Sequence, residues 1–316
     1  MKPIYLAPLE GITDNIYRNT FEEYYGGVDK YFTPFLSPCS TFKFTTREFD
    51  EIDPKKNNIE DTVPQLLTNN AEHFLWAAKE IIHMGYKEIN FNLGCPSGTV
   101  VAKKKGSGLL FYPELLDELL FQIFEALPSL CNPGQKIPDI SIKTRLGKVD
   151  PEEFYEILEI FNKYPISEIT LHPRIQSDFY REPIRPEYID YTLTHAKAKI
   201  VLNGEITSIS DIEKSETAYP DIHALMIGRA MIANPELAFH YKNGPKEFDM
   251  QKFQEFQSVL LSKYEERFSG DKPVLYRMKE FWAFWQQNYP SEEKVIKNIR
   301  KAKTISDYKN ALRQLT

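Results

Sequence analysis

The stretch AEHFLWAAKEIIHMGYKEINFNLGCPSG, residues 71–98, sets two periodicities side by side. From Ala71 to Met84 the apolar residues recur at helical spacing, and the pattern stops at Gly85, a residue suited to ending a helix. From Glu88 to Leu93 the period falls to two. Ile89, Phe91 and Leu93 alternate with Glu88, Asn90 and Asn92, as in a strand. Helix, glycine and strand in succession make the repeating unit of an α/β protein. The strand runs out into Gly94-Cys95-Pro96, which leaves a thiol at its mouth, followed by three lysines and the turn Gly106-Ser107-Gly108.

Working outward, short apolar runs of the same kind recur along the chain. They are IYLAP (4–8), KYFTPF (30–35), TVPQLL (62–67), EINFNLG (88–94), DISIKTR (139–145), EITLHP (168–173), KIVLNG (199–204) and ALMIGR (224–229). Several are followed by helical pattern. DPEEFYEILEIFNKY (150–164) predicts a helix capped by Asp150 with Pro151 in its first turn. Eight strand–helix alternations fit a (β/α)8 TIM barrel better than a doubly wound sheet. No Gly-x-Gly-x-x-Gly follows the first strand, where a dinucleotide-binding domain would carry it. Residues 36–61 form a polar, proline-containing excursion.

Beyond residue 238 the strand signals stop. FDMQKFQEFQSVLLSKYEERF (248–268) and YRMKEFWAFWQQNY (276–289) predict helices, so the expected division is a barrel over 1–238 and a small all-helical domain over 239–316. From Pro273 to Thr316 there are nine basic and four acidic residues, in a chain of net charge −6. The tail is thus a basic patch on an acidic protein, a composition that excludes a uniformly basic nucleic-acid binder but permits a local RNA-binding surface.

Three cysteines with no Cys-x-x-Cys pair predict free thiols in a reduced, cytoplasmic protein. No apolar run approaches the ~20 residues needed to cross a bilayer. The six histidines form no metal-binding spacing, so we expect no metal site.

In a barrel of this kind the chemistry gathers at the carboxyl ends of the strands. Those ends read Ala7-Pro8-Leu9-Glu10-Gly11, Gln65, Asn92 with Cys95, Lys143 with Arg145, His172 with Arg174, Asn203-Gly204, and Gly228-Arg229. Any one of these is an ordinary strand-end residue. Together they are a site. The glycines of LNGEI and MIGRA follow strands seven and eight, where backbone N–H groups and a helix start can cradle a phosphate. Lys143 can stabilise negative charge on a bound ring, and the amides of Gln65 and Asn92 can read a pyrimidine-like edge. Phosphate and ring together suggest a flavin mononucleotide.

The elements LAPLEGITD (6–14), FNLGCPS (91–97), IKTRLG (142–147), LHPR (171–174), LNGEI (202–206) and IGRAMIANP (227–235) resemble, in order, those of the tRNA-dihydrouridine synthases. Asn-x-Gly-Cys-Pro is the most specific of them. Leu9 stands where the family's first motif usually has methionine, and Glu205 where aspartate usually follows Asn-Gly. The resemblance implies bound FMN, reduction by NADPH, and a tRNA uridine reduced at C5–C6, with hydride from flavin N5 to C6 and a proton from Cys95 to C5. It implies that Ala7, Pro8, Leu9, Gln65, Lys143, His172, Asn203, Gly204, Glu205, Gly228 and Arg229 hold the cofactor. Asn92, Tyr180 and Arg181 would meet the substrate base. Lys103 and Lys104 in the lysine run, and Arg277 and Lys279 in the tail, are candidates for tRNA contact, while Tyr276, Phe281 and Trp282 are expected in the helical core. We expect a monomer with tRNA as partner. The competing reading is an FMN barrel acting on a small free pyrimidine, which would have no use for the basic tail.

Overall fold

Proline 64 has no N–H to give to a strand ladder, and it divides the third apolar run in two. The computed structural model, which describes residues 1–315, places strands at β1 (Ile4–Leu6), β2 (Lys30–Phe32), β3 (Thr62–Val63), β4 (Gln65–Leu66), β5 (Glu88–Leu93), β6 (Asp139–Arg145), β7 (Glu168–His172), β8 (Lys199–Asn203) and β9 (Ala224–Ile227). All pair in parallel, in the order β3-β2-β1-β9-β8-β7-β6-β5-β4. β3 and β4, at opposite ends of that order, are neighbours in the chain. The sheet therefore curls into a nearly closed barrel with its seam at Pro64. A bridge between Leu36 and Leu66 and the bond from the Asn90 N–H to the Pro64 carbonyl, 2.8 Å, hold the seam. Each of the eight expected runs is a strand, the third one broken.

Helices cover the barrel between strands. Asp14 and Asn70 cap the helices Asn15–Tyr24 and Ala71–His83, accepting the N–H groups of Tyr17 and His73 at 3.0 and 2.9 Å. The helix expected from residue 150 begins later, at Glu153, and ends at Phe161. Local bonds win its first turn: Asp150 accepts the Glu152 N–H, while the Glu153 carboxylate folds back onto the N–H groups of Lys148, Val149 and Asp150.

The barrel interior has two halves. Tyr5, Ala7, Phe32, Val63, Val201, Ala224 and Met226 make an apolar half. Across from them, the inward residues of β4 to β7 are polar, and Gln65, Asn90, Asn92, Ser141 and Glu88 are hydrogen-bonded in series; Gln65, Asn90 and Ser141 are at most 1% exposed. Buried polar groups require partners, and these find them within the barrel.

After β9 the chain is helical. Leu237–Asn243 crosses the expected boundary at 238 and packs on the helices Ile209–Ala218 and Arg229–Ala233. Met250–Arg267, Asp271–Trp285, Glu293–Lys301 and Ile305–Leu312 follow. Phe253, Phe256, Tyr264, Phe281 and Trp285 share one apolar core with Tyr17, Phe21 and Tyr25 of the barrel. Phe281 and Trp282 are fully buried as expected, but Tyr276 is 68% exposed, because it falls on the outer face of its helix. Among the described residues no helix is long and apolar enough to cross a membrane.

Candidate active site

A cavity of about 550 Å³ opens at the carboxyl ends of the strands. Ala7, Pro8, Leu9, Lys143, His172, Tyr180, Asn203, Gly204, Glu205, Gly228 and Arg229 line it. Strand ends supply most of these groups, since alternate residues of each strand point inward. Two glycines are required by the space. Gly204 has φ +130°, and a Cβ there would lie 3.0 Å from the His172 ring. At Gly228 a Cβ would meet that of Ala7 at 3.3 Å. Arg229 opens a short helix whose first N–H groups have no partner within it, beside the same cavity wall.

His172 is held neutral. Burial, followed by the charges of Arg145, Lys143, Arg174 and Arg229, holds its pKa well below the usual value. Arg174 Nη1 lies 3.0 Å from His172 Nε2. A guanidinium can only donate, so Nε2 accepts and the ring proton sits on Nδ1. Arg174 also bonds the Glu205 carboxylate and the Glu182 carbonyl, and is itself almost fully buried. Lys143 faces the cavity from β6. Burial and the neighbouring Arg145 push its pKa down to about 7. An amine poised in this way takes up a proton when negative charge arrives beside it.

Cys95 sits half-buried on the loop after β5. Burial raises its thiol pKa, against smaller opposing effects from the Ser97 backbone, Lys143 and Arg145. Its loop is pinned from both sides. Asn92 Oδ1 accepts the N–H groups of Gly94 and Cys95 at 3.1 and 2.9 Å. The Cys95 carbonyl accepts from Ser107 Oγ and N at 2.8 and 3.1 Å. Gly106, at φ +56°, packs so closely that a Cβ would lie 2.8 Å from that carbonyl. This is the structural use of the Gly-Ser-Gly turn.

Arg145 ties this loop to the one after β7. Its guanidinium donates to the carbonyls of Gly94, Ile175 and Phe179 at 3.2, 2.8 and 2.8 Å. Phe179 has φ 50°, a strained conformation for an aromatic residue. Next to it, Tyr180 lies over the cavity with Arg229 4.3 Å from its ring centroid.

Against this geometry, a family model for dihydrouridine synthase matches residues 5–315. The chain belongs to the dihydrouridine synthase family. It is 28% identical over 307 residues to a tRNA-dihydrouridine(16) synthase of Vibrio vulnificus (strain CMCP6), covering 94% of this chain and 92% of that protein. It is 27% identical over 320 residues to the enzyme of that name from Haemophilus influenzae (strain ATCC 51907 / DSM 11121 / KW20 / Rd), covering 98% and 99%. Among solved structures, morphinone reductase in complex with tetrahydroNAD aligns with a TM-score of 0.52 at 11% identity, over 79% of this chain and 89% of that one. That likeness concerns the fold, a TIM barrel.

Dihydrouridine synthases are flavin-dependent oxidoreductases, and this cavity fits a flavin. Without side chains, Gly204 and Gly228 let the strand ends close up against His172 and Ala7 at the cavity wall, and Lys143 faces the cavity with a proton to gain. Not every expected residue lines it, and Cys95 itself lies off the wall, near the lining Lys143. Gln65 and Asn92 lie in the buried polar half of the barrel, bonded to each other at 2.7 Å. Arg181, Lys103 and Lys104 are exposed on loops, with Lys104 4.3 Å from the Tyr112 ring centroid. Arg277 lies apart from the cavity, 3.5 Å from both Asp14 and Glu280. Lys279 bonds the Ala302 carbonyl. Both therefore have partners within the protein. The structure also adds residues: Arg174, visible in the sequence only as a strand end, and Asn234, Phe284 and Gln287, which reach the cavity from beyond β9. Asn234 falls within IGRAMIANP, but no local sequence signal marks Phe284 or Gln287.

Proposed function

We propose that this dihydrouridine synthase reduces the C5–C6 bond of a uridine in tRNA, holding FMN in the cavity, using NADPH as reductant, and protonating C5 from Cys95. The observation that carries the reading is a thiol that burial keeps protonated within electrostatic reach of Lys143, which lines that cavity. Bound and reduced, the flavin supplies the hydride for uracil C6. Gly204, Gly228 and Arg229 would take its phosphate, and Lys143 its ring, with Ala7, Pro8, Leu9, Asn203 and Glu205 forming the walls. A general acid must hold its proton at working pH, and Cys95 does so. Once the proton has gone to C5, Lys143 and Arg145 are the nearby cations that favour the thiolate. Neutral His172 keeps its Nδ1–H available as a donor, and Tyr180 and Arg181 stand where the base would enter.

To reach the site the uridine must leave its stack, at a cost of a few kcal/mol. We assign residues 239–316 to gripping the folded RNA. Lys294, Lys297, Arg300, Lys301 and Lys303 are exposed along and just beyond the helix Glu293–Lys301. Phosphate contacts from such residues position RNA without reading its sequence. The relatives named above are tRNA-dihydrouridine(16) synthases, and on that ground we place the target at position 16 of the D-loop. The enzyme would act in the cytoplasm as a monomer.

Nucleoside mass spectrometry tests the reading. Incubated with the protein and NADPH, tRNA lacking dihydrouridine should gain about two mass units at one uridine, and Cys95→Ala should slow the gain about 10²- to 10⁴-fold. Yellow protein that consumes NADPH without that gain would transfer the reading to a small free pyrimidine.

A further inference from the structure

A line of hydrogen-bonded side chains runs inside the barrel to the cysteine loop. It starts at Lys30, whose ammonium lies 2.7 Å from Glu88 and 2.9 Å from Glu168. Ser141 Oγ donates to Glu88 Oε1 at 2.6 Å, and Asn90 Nδ2 donates to Ser141 Oγ at 2.8 Å. Gln65 Nε2 donates to Asn90 Oδ1 at 2.7 Å, and Asn92 Nδ2 donates to Gln65 Oε1 at 2.7 Å. The line ends where Asn92 Oδ1 accepts the N–H groups of Gly94 and Cys95.

Every donor points the same way, and both ends enforce the direction: the N–H groups of Gly94 and Cys95 at one, the Glu88 carboxylate at the other. An ionised carboxylate only accepts. Glu88 therefore accepts a hydrogen bond from the Ser141 hydroxyl, which turns the Ser141 lone pairs to Asn90. That choice orients the Asn90 amide, then that of Gln65, then that of Asn92. Were the Asn92 amide reversed, its NH2 would face two backbone N–H groups at a buried position, where unmade bonds are costly. Glu168 cannot do the same work, since its bonds go to Lys30 and Tyr5.

We propose that Glu88 is a positioning residue: through Ser141, Asn90, Gln65 and Asn92 its carboxylate sets the polarity that holds the Cys95 loop in its reactive conformation. The proposal rests on the reading of Cys95 as proton donor.

Glu88→Gln keeps the shape but can donate as well as accept, so it no longer dictates the direction. In purified full-length protein, iodoacetamide labelling of Cys95, read by mass spectrometry against Cys39 and Cys131, should change by about threefold or more. Flavin reoxidation by tRNA should fall about tenfold or more, the scale of a small misplacement at a reacting group, while reduction by NADPH stays within about twofold. The double variant Glu88→Gln/Asn90→Asp moves the carboxylate one step along the line. The carboxylate introduced in place of the Asn90 amide accepts from Gln65 and again orients Asn92, while Lys30 still lacks Glu88. Recovery of both readouts in the double variant is the expected result. Unchanged Cys95 labelling in Glu88→Gln overturns the proposal. So does a loss that the double variant leaves in place, with the melting temperature lowered in both, which marks a merely structural ion pair. Labelling needs no turnover, so failure of wild-type protein to form dihydrouridine would show separately.

Discussion

Lys143 and Cys95 are shifted in opposite directions by the same burial, because burial disfavours whichever form is charged. The lysine loses its proton more readily and the thiol keeps its own. Each shift makes a prediction. With its pKa at about 7, Lys143 is increasingly neutral above that pH. Binding a flavin whose ring favours the ammonium must then draw in a proton, so affinity should weaken as pH rises from 7 to 9, by at most about tenfold per unit. Fluorescence titration of flavin at several pH values measures this, and Lys143→Met should bind more weakly with a flatter profile. For Cys95 the sign is reversed. The acid form does the work and its pKa is raised, so tRNA-dependent flavin reoxidation should hold through the ordinary thiol value of about 8.5 and decline only above it. Cys95→Ala should slow that step about 10²- to 10⁴-fold while leaving flavin reduction intact, as stopped-flow absorbance will show.

The loops after β5 and β7 carry the groups proposed to face the substrate, and each is short of secondary structure that could hold it. Arg145 supplies the hold by bonding carbonyls on both. Arg145→Met would leave three carbonyls without that donor, those of Gly94 and Ile175 buried, and should lower tRNA turnover by about tenfold or more through loop misplacement. Steady-state kinetics should show the loss in kcat, with flavin content kept. Gly204→Ala should act on the other side of the site. Its φ of +130° and the 3.0 Å approach to His172 predict a cost of about 1–3 kcal/mol and poorer flavin retention, measured by thermal melting and by the flavin absorbance of purified protein. How much of this the sequence shows depends on what each residue packs against. The strands are legible because Ile89, Phe91 and Leu93 face the helices and must be apolar. Their neighbours Glu88, Asn90 and Asn92 look like a solvent face, yet they point into the barrel, and alternation alone cannot tell water from a polar interior. Strand-end residues such as Lys143 and His172 are legible because the topology brings all those ends to one face. Arg145 is visible as a strand end, but its bonds to two distant loops are not, since carbonyl partners leave no trace in residue identity.

At the scale of the whole molecule, the basic helical region reads in sequence as a separate unit, but its apolar residues are spent on the barrel. Phe256 packs against Tyr17 and Tyr25, with ring centroids 5.8 and 5.2 Å apart, and Tyr17 stacks on Phe281 at 5.3 Å. Trp285 donates to the Ile232 carbonyl at 3.1 Å, and Tyr264 to Asp14 at 2.7 Å. The cavity wall itself includes Ala283, Phe284 and Gln287. Two regions that share a core and a cavity wall have little reason to unfold apart, because separating them exposes large aromatic side chains at about 25 cal/mol per Å². Calorimetry of the full chain should therefore show one cooperative transition, with the calorimetric and van't Hoff enthalpies in agreement. A chain truncated at residue 238 should be insoluble or bind flavin poorly, although it keeps every strand. Two resolved transitions, or a truncated barrel that stays soluble and yellow, would mean that the shared core contributes little and that the helical region acts only as a handle for RNA.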